Sequence, residues 1–272
     1  MKLVVIGALA VSSLFAATGD TSGPYTDSKG NVWDTLPKVS DYADVATYDA
    51  LFAHEVFTTR DGKQFHIDRA LTPEEEAWAS SLHQFNQNIV PEPKSGGSFR
   101  ATVTTHHPVD EEYQATESGI PALKSEIIGI VEDADNYLYT EFAINYVPTT
   151  GRLWDSNDNA DIVQLLDEAW NENGGLNGQD MEYAFSDDYT PGGAVGVAYI
   201  NWPQALGKDY EPYENIIYQH ETGHNYGLYH CCSSSCVMIS YVNPGGYNNL
   251  HTGTSCGISS HYNQWNNARN KY

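Results

Sequence analysis

The chain has 272 residues, 40% of them apolar, so it is long enough for one large domain with a buried core. Its 36 acidic residues against 13 basic ones give a net charge of −23. This balance excludes a general nucleic-acid-binding function, which needs a basic face, and argues against docking on anionic lipid.

The N-terminus has the pattern of a secretory signal peptide. In residues 1–19 one lysine precedes an apolar run that ends in small residues, and the run is short for a membrane span. A buried N-terminal strand or helix is the alternative interpretation. No later stretch is apolar enough to span a bilayer, so we expect a secreted, extracellular protein.

The next segment predicts a small N-terminal unit. Residues 20–45 are polar and are predicted as loop, and residues 54–68 predict a hairpin with its turn at residues 60–63. A helix is predicted from Thr72 to about residue 88, because Thr72-Pro73-Glu74-Glu75 has the pattern of a capping box. Pro, Gly and Ser at residues 91–98 predict a linker.

Residues 20–97 are therefore interpreted as a propeptide or a permanent N-terminal subdomain, and residues 98–272 as the main domain. Strands and helices alternate along that domain, which predicts an α+β fold with an α/β-like upper part, a mixed sheet and covering helices. The strands are predicted at residues 99–105, 141–147, 181–185 and 194–200, and the helices at 120–138, 161–170, 214–226 and from about 260.

The strongest functional signal is the stretch HETGHNYGLYH at residues 220–230. His220 and His224 are four positions apart, so on a helix both rings leave one face and can bind one zinc ion. Glu221 can reach a water at the metal without binding the metal. Gly227 tolerates positive φ and allows the helix to end sharply, after which His230 supplies a third ligand. Three protein ligands leave a position for water, as in catalytic zinc sites.

This pattern resembles the metzincin zinc endopeptidases, which share it and a following Met-turn. Met238 in CVMIS is the Met-turn candidate, with core packing as the simpler interpretation. Residues 130–147, 192–200 and 236–238 are most similar to the adamalysin (reprolysin) and gametolysin groups. The resemblance covers residues 98–272 and implies a metzincin-like sheet, an active-site helix and a C-terminal helix.

The resemblance also implies site roles. The three histidines would bind one catalytic zinc ion, Glu221 would be the general base, and residues 241–246, beginning with Tyr241, would wall the pocket for the residue after the scissile bond. An unpaired edge strand would bind an extended peptide substrate through Val195, Gly196, Val197 and Ala198. We expect a monomer that acts on a peptide or protein; a structural calcium ion is left open.

The chain departs from those groups at two positions. Cys231 follows the third histidine, where adamalysins usually have Asp. Tyr241 lies three residues after Met238 rather than two, so packing is its simpler role. Two alternatives to an enzyme remain: a non-catalytic binding protein on the same fold and a structural zinc protein. An open cleft beside the zinc would favour the enzyme over the second.

The cysteines lie within the last 42 residues, at positions 231, 232, 236 and 256. In a secreted chain they predict two disulfides, with a zinc knuckle as the competing interpretation. A bond between neighbours is strained, which leaves two favoured connectivities. The resemblance to reprolysins implies the pairs Cys231–Cys256 and Cys232–Cys236.

Latency cannot come from a cysteine switch, because no cysteine precedes the main domain. Some metzincins use an aspartate, and Asp61 at the hairpin tip is a candidate ligand, with His54 and His66 as others. The simpler interpretation is a turn aspartate and two surface histidines. A second metal site, or more simply solvated loops, is considered for His106, His107, His251 and His261.

Overall fold

The computed structural model describes residues 23–86, 101–190 and 193–272, so the predicted signal peptide and the linker at residues 91–98 lie outside the described residues. The helices are α1 (Val45–Phe52), α2 (Pro73–Asn86), α3 (Glu111–Thr116), α4 (Ile120–Phe142), α5 (Ile162–Asn173), α6 (Glu214–Asn225) and α7 (His261–Ala268). The strands are β1 (Tyr25–Thr26), β2 (Val32–Trp33), β3 (Phe57–Thr58), β4 (Gln64–Phe65), β5 (Asp68–Arg69), β6 (Ala101–Asp110), β7 (Ile144–Trp154), β8 (Met181–Ser186), β9 (Ala194–Ala198) and β10 (Gln204–Lys208).

The predicted α+β class is confirmed, and local signals explain several helix ends. At the start of α2 the Thr72 N–H donates to the Glu75 carboxylate at 2.8 Å, and the Glu75 N–H donates to the Thr72 hydroxyl at 3.3 Å. Helix α4 runs further than the pattern indicated and ends where Ala143 adopts a left-handed conformation, with φ of 57°. The next strand therefore begins at Ile144, not Glu141.

One prediction from local pattern is wrong, and several elements were not predicted. Residues 20–45 were expected to be loop but contain β1 and β2, and α1, α3 and β10 were not predicted. Strands β1 and β2 have two residues each, which is too short for a periodic signal. These strands are recognised only by their pairing. They belong to a four-stranded antiparallel sheet of order β2-β1-β3-β4.

The larger sheet is mixed and has the order β5-β9-β10-β8-β6-β7. Strands β7, β6, β8 and β10 are parallel, whereas β9 runs antiparallel to β10, and β5 runs antiparallel to β9. Helices α3 and α4 connect β6 to β7, and α5 connects β7 to β8, whereas β8 is connected to β10 through β9. The outermost strand, β5, comes from the N-terminal segment, so this segment is part of the main sheet.

Hydrophobic clusters cover both faces of this sheet. One cluster joins α4, α6 and the C-terminal region and includes Leu138, Met238 and Trp265. The other joins α5 to the small N-terminal sheet, where Phe65 contacts Tyr199 with ring centroids 6.3 Å apart. Within the part of the chain that the structure describes, no helix has the length and apolarity needed to cross a membrane.

Candidate metal centre

Helix α6 and the turn after it bring the three motif histidines together. The Nε2 atom of His220 lies 3.0 Å from Nε2 of His224 and 3.2 Å from Nε2 of His230. The helix ends at Asn225, and the turn after it contains Gly227, whose φ of 91° is left-handed and whose N–H donates to the His224 carbonyl at 2.8 Å. This turn reverses the chain and directs His230 back to the helix face.

Backbone carbonyls orient all three rings. The Nδ1 atoms of His220, His224 and His230 lie 2.6, 2.7 and 2.8 Å from the carbonyl oxygens of Val237, Leu228 and Ala53. In the neutral ring this pairing places the hydrogen on Nδ1, so the Nε2 lone pairs point into the centre, as in metal-binding imidazoles. Burial lowers the pKa of His224 to about 4, which keeps that ring neutral.

A fourth group, Asp68 of β5, was not predicted. One carboxylate oxygen lies 2.8 Å from Nε2 of His230 and 3.0 Å from Nε2 of His220, and the other lies 3.7 Å from Nε2 of His224. Asp68 is buried at 4% exposure. The only sequence signal for it is an acidic residue in the mostly apolar stretch before α2.

The donor set fits a divalent metal ion. One ligand atom from each of Asp68, His220, His224 and His230 lies within 4.8 Å of the others. Three imidazole lone pairs and a carboxylate repel one another when buried together, and a cation removes that repulsion. Three nitrogen ligands and one oxygen ligand are a familiar tetrahedral zinc set.

None of the three predicted latency candidates belongs to this group of four candidate ligands. Asp61 is half exposed and contacts the Thr59 hydroxyl and Lys63, so it is a turn residue. His54 is exposed, 3.1 Å from the sulfur of Cys232. His66 is not a surface residue, which corrects the simpler interpretation: it is buried and stacks on His230 with ring centroids 4.0 Å apart.

His66 contacts His230 from outside the cluster of candidate ligands and does not join it. Its Nε2 accepts from the His230 N–H at 3.4 Å, and its Nδ1 lies 2.7 Å from the Glu55 carbonyl. Burial lowers the pKa of His66 well below its usual range, so the ring is neutral. This side chain therefore fixes the position of His230.

Glu221 is fully buried beside Asp68 and β9. A Cβ atom on Gly196 would overlap the Glu221 carboxylate, so this glycine allows the helix to lie close to the strand. Burial raises the pKa of Glu221 well above its usual range, and the nearby Asp68 carboxylate adds to the shift. A small cavity beside these groups is lined by Asp68, Val195, Ile216, Ile217, His220, Glu221, Tyr241 and Val242.

Strand β9 contains the four predicted substrate-binding residues, Val195 to Ala198, but its edge is not free. Asp68 pairs with Gly196 and Arg69 with Ala194, and the Ala70 N–H donates to the Gly193 carbonyl at 2.8 Å. The prediction that the edge of β9 is unpaired is therefore wrong for the chain that includes residues 68–70, because β5 of the N-terminal segment pairs with that edge. Of the four, Val195 lines the cavity, whereas Val197 belongs to the cluster on the opposite face.

Met238 packs against helix α6 at Gly223. It is fully buried, and a Cβ atom on Gly223 would overlap its sulfur. Its carbonyl accepts from the Cys231 N–H at 2.9 Å, which closes the turn after His230. Tyr241 packs over Arg69, with 5.1 Å between the guanidinium carbon and the ring centroid.

The expected disulfide pairs are wrong. The structure contains Cys232–Cys256, with a Cα–Cα distance of 5.7 Å, while Cys231 and Cys236 are free and buried. Consecutive residues of an extended segment point to opposite sides, so Cys232 faces the exposed loop while Cys231 faces the interior.

The histidines of β6 are not in a solvated loop, and they belong to no metal-binding group among the described residues. His107 is buried, with Nδ1 2.9 Å from the Tyr183 carbonyl, and His106 Nδ1 lies 2.8 Å from the Thr150 hydroxyl. They are core residues with hydrogen-bond partners.

A mixed sheet crossed by a helix with two buried histidines, a glutamate between them and a third histidine after a glycine turn defines a metallopeptidase. The chain belongs to metallo-peptidase family M12, because the family model Reprolysin_5 matches residues 100–272. It is thus a metzincin-type, metal-dependent peptidase.

Solved structures with similar folds include metalloproteinase-II from Bacteroides fragilis, at 12% identity over 79% of this chain and 76% of that chain, with a TM-score of 0.44. Another is a chain described as "Structure of a chaperone-substrate complex", at 17% identity over 63% of this chain, with a TM-score of 0.48. This chain spans 34% of the length of that second one. No curated protein sequence matches.

Proposed function

We propose that the chain is the latent precursor of a secreted zinc endopeptidase, in which Glu221 is the general base. One observation carries the proposal: three histidines and Glu221 converge within the family-matched region, while the fourth group at the centre, Asp68, comes from outside it. A catalytic zinc site has three protein ligands and one open position, so a fourth ligand that can be removed would keep such a site inactive until its removal.

The chemistry assigns a role to each side chain. Zinc, when bound, polarises a carbonyl and lowers the pKa of water at its open position. Glu221 takes the proton of the attacking water and passes it to the leaving amine. Strand β9 aligns the peptide by strand addition, and the cavity walled by Ile217, Tyr241 and Val242 receives the side chain that follows the scissile bond.

Latency follows from the position of β5. Asp68 would hold the ligand position that water needs when the metal is bound, and its backbone pairs with Gly196 at the edge that a substrate needs. Arg69 anchors the strand, because its buried guanidinium donates to Asp49 and Glu75 at 2.8 to 2.9 Å. Activation would therefore require cleavage between β5 and the family-matched region, followed by release of the strand.

A structural zinc protein is the second candidate, and the closed centre favours it, because the metal-site residues are almost fully buried. The cover, however, comes from the N-terminal segment: Asp68 at the metal position and the Ala53 carbonyl on His230. A structural site gives no role to the buried carboxylate of Glu221, whereas an endopeptidase does. The intact ligands and Glu221 likewise argue against a non-catalytic binding protein.

Cleavage of the purified chain tests the proposal. A specific protease site placed in residues 91–98 lets the precursor be cut at will, and hydrolysis of a general protein substrate is measured before and after the cut. We expect activity only after the cut, loss of activity with a zinc chelator, and recovery with added zinc.

Glu221→Gln is the matched variant. The cut variant should keep its zinc and lose turnover, because the amide has the shape of the carboxylate but cannot take a proton. Full activity with retained zinc would contradict the role of Glu221. A cut, zinc-loaded protein without chelator-sensitive cleavage would contradict the endopeptidase and favour a binding role.

A further inference from the structure

A second cluster of metal-binding side chains lies behind the Met-turn. One ligand atom from each of Cys231, Cys236, His251 and His261 lies within 4.8 Å of the others. The Cys236 sulfur is 3.4 Å from Nδ1 of His261 and 3.4 Å from Nδ1 of His251. Three of the four residues are buried and His251 is half-buried.

These distances match a tetrahedral zinc site. Zinc–sulfur bonds of about 2.3 Å and zinc–nitrogen bonds of about 2.05 Å place a sulfur and a nitrogen ligand about 3.6 Å apart. Two cysteines and two histidines form a complete structural set that leaves no position for water. The cluster therefore differs in chemistry from the first centre, which contains no sulfur.

The cluster is poorly stabilised by hydrogen bonds alone. Among the described residues, the imidazoles of His251 and His261 have the Cys236 sulfur as their hydrogen-bond partner, and their Nε2 atoms have none. Thiols are weak hydrogen-bond partners, so burial of these groups together carries a desolvation cost that metal bonds offset.

We propose that Cys231, Cys236, His251 and His261 bind a second, structural zinc ion. Cys231 directly follows the ligand His230, and Cys236 lies two residues before Met238. The two histidines come from the segment around α7, so the ion ties the loop between His230 and the Met-turn to the C-terminal region.

This tie supports the first centre through the backbone. The carbonyl of Val237, next to Cys236, lies 2.6 Å from Nδ1 of His220, and the Cys231 N–H donates to the Met238 carbonyl. Only seven residues separate His230 from Met238, so a fixed loop fixes both the third ligand and the ring of the first. The second ion is thus a positioning element of the enzyme.

A Cys231–Cys236 disulfide is the competing state of the same thiols. It would use both sulfurs for one covalent bond and leave the two histidines without a role. The two states differ in zinc content and in free thiols, so one preparation distinguishes them.

The experiment uses the full-length, zinc-loaded protein. We expect two zinc ions per chain by elemental analysis, and two thiols that react after unfolding in chelator. The double variant His251→Asn/His261→Asn should retain one zinc, and so should His224→Ala, which removes a ligand of the other centre. One zinc per wild-type chain, or no reactive thiol after unfolding, would overturn the proposal.

Cobalt gives a second readout that needs no variant. When Co²⁺ replaces zinc, thiolate ligands give a strong near-ultraviolet charge-transfer band, and only the second cluster supplies thiolates. We expect that band in the cobalt-loaded wild type and its persistence in His224→Ala. A cobalt protein without the band would refute the second site, whatever its peptidase activity.

Discussion

Substitution of Asp68 by asparagine isolates the contribution of one carboxylate to latency. Asp68→Asn keeps the size of the side chain but removes the charge that faces His220 and His230 at 3.0 and 2.8 Å. In the zinc-loaded chain this charge would pair with the metal ion, and loss of one partner of a buried charge pair costs about 3–5 kcal/mol. Since about 1.4 kcal/mol is a factor of ten, the open form of the uncut chain should become about 100 to 4,000 times more populated.

The remaining contacts set an upper limit on this activation. Strand β5 still pairs with β9, and the guanidinium of Arg69, 2% exposed, still binds Asp49 and Glu75. The uncut variant should therefore be less active than the cut wild type. Addition of Arg69→Met removes the anchor and should bring the uncut chain close to the cut wild type.

The assay is the initial rate of peptide hydrolysis by the uncut chain, with electrophoresis to show that the chain stays intact. Asp61→Asn is the control, because Asp61 lies in an exposed turn away from the metal centre, and it should leave the rate unchanged. If uncut Asp68→Asn is no faster than the uncut wild type while the cut protein is active, strand pairing and not the carboxylate imposes latency.

Two further substitutions test other parts of the structure. Gly196→Ala introduces a Cβ that overlaps Glu221 and Ile217, so kcat/KM of the cut protein should fall at least about tenfold with zinc content unchanged. Gly253 lies in open space, so the control Gly253→Ala should have no effect. Equal kcat/KM for Gly196→Ala and the wild type would refute the close approach of Glu221 to β9. Burial raises the pKa of Glu182 from 4.5 to about 9, so between these values the unfolded chain releases a proton that the folded chain keeps, and stability falls as pH rises. Glu182→Gln has no such proton to keep. The unfolding free energy of the variant should therefore rise relative to that of the wild type by up to about 1.4 kcal/mol per pH unit in that window. A difference in Tm between the two proteins that is constant from pH 5 to 9 would contradict the raised pKa of Glu182.

The sequence was most informative where geometry is local. The three histidines, Glu221 and Gly227 lie within 11 consecutive residues, so helix periodicity and one glycine determine how they face one another. The start of α2 is equally local, since Thr72 and Glu75 bond each other. In both cases the relevant partners are at most ten positions apart.

The missed features depend on contacts between distant segments. Asp68 reaches the metal centre through a two-residue strand, whose partner β9 lies more than a hundred positions along the chain. The pairing of Cys232 with Cys256 likewise depends on which side of the segment each cysteine faces, and spacing does not encode that. The pairing implied by the resemblance to reprolysins is wrong, because Cys232 is bonded to Cys256, and Cys236 lies beside His251 and His261 instead.

The register of β5 determines both how Asp68 faces the three histidines and how the strand covers the edge of β9. Side chains alternate along a strand, so a shift of one residue would turn Asp68 away from the histidines and direct Arg69 at them. Arg69 prevents that shift, because its guanidinium is held by Asp49 of α1 and Glu75 of α2. With Arg69 fixed, Asp68 lies opposite Gly196, the one position of β9 where the absence of a side chain brings Glu221 close. A single anchored strand thus lies against the metal-binding side chains, the edge of β9 and the Glu221 carboxylate together, so under the proposed function a cleavage that frees the strand would expose all three at once.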